Sequence, residues 1–332
     1  AYLDIDGVIA AAKAAGCDAI HPGYGFLAER ADFAQACAEA GITFVGPTVE
    51  NLRLFGDKGG ARAAAVAADV PVLDGIDHGV SLEDAKAFFA SLGAGGAMII
   101  KAVARGTRVV TAADEIAATY ERCRSEALGA FGRDEVYVEA FIPRARHVEV
   151  QILGDHTGAI AHLGERECSV QRRYQKLVEV APAPGLDDGL RAEIIQAAVR
   201  FARTVGYRNL GTFEFLVDTT GRSGVRPFVF IEANARLQVE HTVTEQVTGV
   251  DLVQSQLRLA AGAALADLGL DDERIAEPRG YAIQARVNME TVEADGSLRP
   301  GGGTLSVYEA PSGPGVRTDG FGYAGYETSS AF

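Results

Sequence analysis

A mixed fold of helices and sheets is what the sequence predicts, and three observations bear on it. Apolar strand-like runs alternate with amphipathic helical runs, which is the α/β pattern. Consecutive strand runs are joined by Gly-rich turns, which points to local antiparallel pairing. The 332 residues are 48% hydrophobic and 23% charged, with no Trp. That is ordinary globular composition, and the length allows two or three packed domains.

In chain order, Ser81-Leu82-Glu83-Asp84 reads as a capping box opening a helix with Leu82, Ala85, Phe88, Phe89 and Leu92 on one face and Gly93 as its stop. Met98 to Val103 then reads as a buried strand. A second helix carries Ile116, Tyr120, Cys123 and Ala127, and a longer one carries Leu190, Ile194, Ala198, Phe201 and Val205 before Gly206. Between these helices Glu135 to Phe141 and Arg146 to Leu153 alternate like strands, and Gly154 to Gly158 is turn chemistry. Arg208 to Asp218 and Pro227 to Asn234 predict an antiparallel hairpin across Thr219 to Gly224. A helical stretch from Asp251 to Leu268 follows, then Gly/Pro-rich strands from Tyr281 onward. No internal repeat is visible.

Bulk properties exclude several classes. A net charge of −14 argues against a nucleic-acid or anionic-membrane binder, while leaving room for a local basic cleft. The longest uncharged stretch, Ala87 to Ile100, contains three glycines and is shorter than the roughly 18 apolar residues a membrane span needs. Cys17, Cys37, Cys123 and Cys168 form no CxxC pair, so they read as reduced, small, buried apolar residues. The chain starts at Ala1 and stops at Phe332 in a turn-rich stretch, and we expect a longer polypeptide around it.

The predicted hairpin is the chemical centre of the sequence. Glu214 lies among Phe213, Phe215 and Val217, and Glu232 follows Phe230 and Ile231 on the returning strand. Two carboxylates on neighbouring buried strands repel, and a hard divalent cation would compensate both, with Asn234 on the same face as Glu232. The alternative is a pair of rim carboxylates in water. If Glu232 to His241 is extended, Glu232, Asn234, Arg236, Gln238 and Glu240 all point one way; an edge strand is the alternative. Of 31 basic residues only five are Lys. Lys58, Lys101 and Lys176 each suit a point charge on a phosphate or bicarbonate, or a solvated strand or helix end. No P-loop, G-x-G-x-x-G after a strand, G-x-S-x-G elbow or H-E-x-x-H zinc motif is present.

Over essentially its whole length the chain resembles biotin carboxylases. The matching stretches are His21 to Glu29, Gly56-Asp57-Lys58, Arg146 to Gln151, Glu165 to Arg173, Ala181 to Gly185, Gly211 to Phe215, Ile231 to Thr244 and Gln284 to Asn288. The resemblance implies an α+β architecture, an ATP-grasp fold with a partial N-terminal α/β (Rossmann-like) domain and a mobile lid. It implies ATP, Mg2+ (or Mn2+) and carrier-bound biotin as cofactors, with bicarbonate as the carbon source. Glu214, Glu232 and Asn234 would organise the metal and the ATP phosphates. Lys58 and Lys101 would contact phosphates, His147 and Gln171 would lie near the nucleotide, and Glu139 and Ile142 would meet adenine through main-chain groups. Lys176, Arg236, Gln238 and Val239 would bind bicarbonate, Glu240 would be its general base, and Arg286 would hold the biotin enolate. The implied partners are a biotin carboxyl carrier protein or domain and a carboxyltransferase, within an oligomer or a larger multidomain polypeptide. The implied compartment is the cytoplasm, or the mitochondrial matrix in a eukaryote.

The expected domains are a partial N-terminal α/β domain over 1–44, a linker over 45–71, a lid over 72–141, and a central region with part of the C-terminal domain over 142–332. Three positions depart from the family pattern. The glycine run of the lid loop is missing from Ala102 to Arg108, and we expect it to be omitted from the sequence rather than deleted from the protein, since lid loops are mobile. Tyr174 replaces the His or Asn of some relatives, and Gln284 a frequent Glu. Two rival readings share many of these residues: another ATP-grasp ligase with an acyl-phosphate intermediate and an amine acceptor, or a non-catalytic scaffold module of a multienzyme. Arg236, Glu240 and Arg286 weigh against the first, and the full set of candidate side chains against the second.

Overall fold

Side-chain alternation along the central strands divides their residues between a helix-covered apolar face and a face of ionisable groups, and that division places the site. The computed structural model describes residues 2–76, 79–93, 95–102, 107–131, 135–172, 175–220, 227–271, 277–295 and 297–328. The chain forms two compact units, Ala1–Gln284 and Ala285–Phe332. The loop residues 103–106, Tyr174 and the hairpin tip 221–226 lie outside the described residues.

The largest sheet of the first unit has six strands in the order Phe228–Asn234, Asn209–Asp218, Ala145–Gly154, Ile160–Arg172, Gln175–Ala181 and Ala282–Ala285. The first five pair antiparallel, including the expected hairpin. Val148, Val150, Ile152, Phe213, Phe215, Phe228 and Phe230 form one buried face, packed on Ile194, Ala197, Ala198 and Phe201 of the helix Asp188–Thr204. Phe201 meets Phe213 at 5.3 Å and Phe230 at 5.1 Å between ring centroids, edge to face, the arrangement ring quadrupoles favour. Asp187 caps this helix by accepting from the Leu190 amide, and the chain leaves it through Gly206 at φ 56°, the left-handed turn glycine permits.

The expected lid is a second sheet with its own core. Gly75–Ile76, Val136–Ala140, Met98–Ala102 and Thr107–Val110 pair antiparallel in that order. Met98, Ile100, Val110, Val136 and Val138 pack against Ala85 from the helix Leu82–Ser91 and Ile116, Tyr120 and Cys123 from the helix Ile116–Phe131. Both halves of the Ser81–Asp84 capping box are formed.

In the N-terminal region Ala19–Ile20 and Thr43–Phe44 pair parallel across the helix Ala31–Glu39, which fits an α/β unit. The segment expected as a linker carries two helices, Val49–Gly56 and Lys58–Ala67, capped by Thr48 and Asp57. Leu52 and Ala65 join the main core, so this segment is packed structure. The helix expected from Asp251 to Leu268 stops at Ala260, and a short 3-10 turn, Leu265–Leu268, follows. Gly262 at φ 92° breaks the two apart. Cys37, Cys123 and Cys168 are buried thiols as expected, whereas Cys17 is exposed because it sits in the turn after the helix Ile5–Ala14. Among the described residues no helix is long and apolar enough to cross a membrane.

The second unit holds two antiparallel two-stranded pairs, Glu290–Val292 with Leu298–Pro300 and Gly303–Thr304 with Glu327–Thr328.

Candidate active site

Strand register sets the site. Glu232, Glu214, Glu149 and Arg166 are successive partners across four neighbouring strands, so three carboxylates and one guanidinium form a row. Glu214 and Glu149 are buried, and buried carboxylates are tolerated only with cationic or hydrogen-bonding partners. Lys176, on the strand Gln175–Ala181, supplies the common counter-charge. Its Nζ donates to Glu149 Oε2 at 2.5 Å, Glu240 Oε1 at 2.7 Å and Glu214 Oε1 at 3.0 Å. Arg166 Nε donates to the other Glu149 oxygen at 2.6 Å. His147 Nε2 lies 2.5 Å from Glu214 Oε2, while Gln171 Nε2 donates to Nδ1 at 2.7 Å, which leaves the ring proton facing Glu214.

The protonation equilibria follow. Burial pushes the Glu214 carboxyl up, but the His147 hydrogen bond and the Lys176 charge outweigh it and hold the group at about 2. Burial likewise opposes ionisation of Glu149, and Arg166 and Lys176 reverse the balance downward. For Lys176 burial disfavours the charge, but Glu149, Glu214 and Glu240 together raise its pKa. Glu232 runs the other way. Its side chain reaches solvent, yet partial desolvation and the Glu214 charge raise its pKa above the usual carboxylate value.

Past Asn234 the backbone departs from the expected extended run. The strand ends there, and Glu240 is already the N-cap of the helix His241–Thr248, so the five polar side chains do not share one strand face. Four of them converge on the cleft by a bent path. Asn234 Nδ2 donates to Glu214 Oε1 at 2.5 Å, and Gln238 Nε2 to the same oxygen at 2.8 Å. Arg236 donates to Asn234 Oδ1 at 3.1 Å and to Glu29 Oε2 at 2.7 Å, which ties the N-terminal motif to this run. Val239 is half-buried between Gln238 and Glu240.

Glu232 faces Glu214 in register, but Glu214 is gathered instead with His147 and Glu149, whose ligand atoms lie within 4.8 Å of one another. Lys176, His147, Asn234 and Gln238 are hydrogen-bond partners of the Glu214 oxygens. The residue types still suit a hard cation, two carboxylates and an amide, one carboxylate being penalised by the charge of the other; the Asn234 oxygen accepts from Arg236 here, so the amide would have to turn to offer it to a cation beside Glu214.

On the lid sheet Lys101 is ion-paired with Glu139 of the adjacent strand and lies 5.6 Å above the Tyr137 ring. Ile142, half-buried, follows that strand. Lys58 begins its helix immediately after the Asp57 cap, and its charge is felt at Glu232. Arg286 belongs to the second unit, one residue beyond the strand Ala282–Ala285. Two central residues were not singled out as site residues from sequence: Glu149 and Arg166. Their signal was a charge within a strand-like run, Glu149 between Val148 and Val150, and Arg166 flanked by other charges that concealed it.

Two antiparallel sheets, the smaller carrying a lysine on its central strand and the larger an acidic hairpin, define an ATP-grasp protein. The model of the biotin carboxylase N-terminal domain matches residues 1–52, and that of the carbamoyl-phosphate synthase L chain ATP-binding domain matches residues 57–268. The mitochondrial pyruvate carboxylase of Mus musculus is 50% identical over 324 residues, 96% of this chain and 27% of that protein. The chain thus spans about a quarter of the length of the curated relatives it matches. The biotin carboxylase domain of a thermophilic 2-oxoglutarate carboxylase, solved with bicarbonate, superposes with a TM-score of 0.89 at 39% identity, covering 100% of this chain and 71% of that one. A Campylobacter jejuni biotin carboxylase solved as a β,γ-ATP complex gives 0.87 at 40% identity, covering 98% and 71%. The chain belongs to the biotin carboxylase family, whose domains carboxylate biotin with ATP and bicarbonate and work with a biotin carrier and a carboxyltransferase.

Proposed function

We propose that this chain performs the first half-reaction of a biotin-dependent carboxylase, using ATP and bicarbonate to carboxylate biotin on a carrier protein or domain. The observation that supports it most is the Glu240 carboxylate held 2.7 Å from Lys176 Nζ beside Glu214 and Gln238, a base and an anion-binding donor set in one cleft. Lys176, Arg236, Gln238 and the Val239 main chain bind bicarbonate. Glu240 takes its proton, which makes the oxygen a better nucleophile toward the γ-phosphate and yields carboxyphosphate. Lys58 and Lys101 offset phosphate charge, His147 and Gln171 line the nucleotide side, and Glu139 and Ile142 meet adenine. Glu214, Glu232 and Asn234 would hold Mg2+ (or Mn2+), which when bound supplies positive charge against the phosphates. Carboxyphosphate breaks to CO2 and phosphate, the phosphate takes the biotin N1′ proton, and Arg286 stabilises the enolate that attacks CO2.

We read residues 72–141 as the lid that closes over ATP, and 142–284 as the central region. The acceptor of the carboxyl group is chosen by the carboxyltransferase. The proposed compartment is the cytoplasm, or the mitochondrial matrix in a eukaryote; the mouse relative is named as mitochondrial. The test is carboxybiotin formation by the full-length polypeptide with ATP, Mg2+ and labelled bicarbonate. The proposal expects label on biotin with one ADP released per carboxylation; ATP cleavage that proceeds equally without bicarbonate would overturn it.

A further inference from the structure

Arg166 is fully buried on the site side of the central sheet, and a buried guanidinium needs every N–H satisfied. Arginine carries five N–H donors and no acceptor. Here each finds an oxygen: Nε on Glu149 Oε1 at 2.6 Å, one terminal nitrogen on Gln151 Oε1 at 2.8 Å and Thr244 Oγ1 at 2.9 Å, and the other on Gln238 Oε1 at 3.0 Å and Thr212 Oγ1 at 3.2 Å. Only one of the five acceptors is charged, so this is more than an ion pair. A donor-only, permanently charged group also decides which way a neighbouring amide turns. Gln151 shows the effect: its oxygen faces Arg166 and its NH2 donates to Gly211 O at 2.9 Å. Gln238 is the functional case. With its oxygen held by Arg166, its NH2 faces Glu214 and the cleft beside Lys176, so it can meet an anion there only as a donor.

We propose that Arg166 is a positioning residue for the anion subsite: it touches no substrate, and it fixes Gln238 with the amide NH2 toward the bicarbonate oxygens. This rests on the assignment of bicarbonate to the Lys176–Gln238 cleft. Threonine hydroxyls at 212 and 244 and the carboxylate of Glu149 aim the guanidinium, and Gln238 passes that aim to the ligand. Arg166 therefore reaches the anion subsite directly through Gln238 and at one further remove through Glu149 and Lys176, and it reaches the ATP side only through Glu214 beyond those two.

The experiment is a double-mutant cycle on the full-length polypeptide, with KM for bicarbonate and for ATP measured separately. Arg166→Lys keeps the charge and loses the planar fork. It is expected to raise the bicarbonate KM about tenfold, the worth of one charge-assisted hydrogen bond, with the ATP KM changed less than about twofold. In a Gln238→Ala background the same change is expected to add less than about twofold, because the Gln238 route is already cut and the retained positive charge still faces Glu149, which Lys176 shares. Equal rises in both KM values, or effects that multiply in the double variant, overturn the proposal in favour of a purely structural arginine. If Arg166→Lys does not fold, Thr212→Val with Thr244→Val loosens the guanidinium more gently; it is expected to raise the bicarbonate KM alone, and no change in that KM overturns the proposal. Hydrogen exchange of the Gln238 side-chain amide, read by NMR, is independent of catalysis. Protection in the wild type that is lost in the arginine or threonine variants supports the orientation, and an unprotected wild-type amide refutes it. A wild-type polypeptide with a protected amide and no bicarbonate-dependent ATP cleavage would refute the functional reading and leave the orientation standing.

Discussion

Glu214 is held ionised by His147 and Lys176 against its own burial, so its contribution to stability has a definite sign. Its pKa falls from 4.5 in the unfolded chain to about 2 in the folded one. The stabilisation is therefore fully present above 4.5 and is lost as pH falls toward 2. We predict that Glu214→Gln lowers the melting temperature at pH 7 and that the gap from wild type narrows as the pH is taken below 4.5. Glu232 has the opposite sign: with its pKa raised, its contribution is favourable below 4.5 and is lost as pH rises through the raised value. Glu232→Gln should accordingly leave the metal-free protein as stable or more stable at neutral pH while weakening the Mg2+ dependence of ATP cleavage. Unchanged Mg2+ dependence would remove Glu232 from the metal set. At this scale Glu214, Glu232, Asn234, Gln238 and Glu240 were legible as polar residues interrupting apolar strands. Arg166 was not, because nothing in one dimension distinguishes a buried arginine with five acceptors from a solvated one.

Within a single strand, alternation separates stability from chemistry. Phe213 is buried among Phe55, Phe201, Tyr207 and Phe230, whereas Glu214 next to it faces the cleft. Phe213→Ala should cost about 4 kcal/mol of folding free energy, the usual price of an aromatic cavity, and denaturant unfolding would measure it. A loss below about 1 kcal/mol would show that the aromatic cluster does not carry the sheet. The period-two and helical patterns made the hairpin, the lid helix from Leu82 and the helix Asp188–Thr204 readable in advance. They did not reveal the bend after Asn234. Polar residues at every second position fit a strand, but the chain leaves the sheet after Asn234, where Arg236 pairs with Glu29 and a helix starts at His241. The helices at 49–67 were missed as well, although Thr48 and Asp57 were caps in plain view.

Across the molecule, the acidic hairpin, the lysine strand and the capped helix converge on one cleft because the sheet order brings residues far apart in sequence into register. Lys176 meets Glu149, Glu214 and Glu240 from three other segments. That order was legible only through family resemblance, since strand sequence does not dictate strand neighbours. In the proposed mechanism Glu240 acts on bicarbonate before carboxyphosphate exists and Arg286 acts on biotin afterwards, so the two residues divide the labour of the half-reaction. The most direct measurement is ADP release with and without biotin, together with carboxybiotin formation, in the full-length polypeptide carrying Glu240→Gln or Arg286→Ala. Glu240→Gln is predicted to cut bicarbonate-dependent ATP cleavage by on the order of 100-fold, with or without biotin. Arg286→Ala is predicted to depress carboxybiotin formation by about 100-fold while the slow biotin-independent ATP cleavage persists. Equal loss of both activities in both variants would contradict the account.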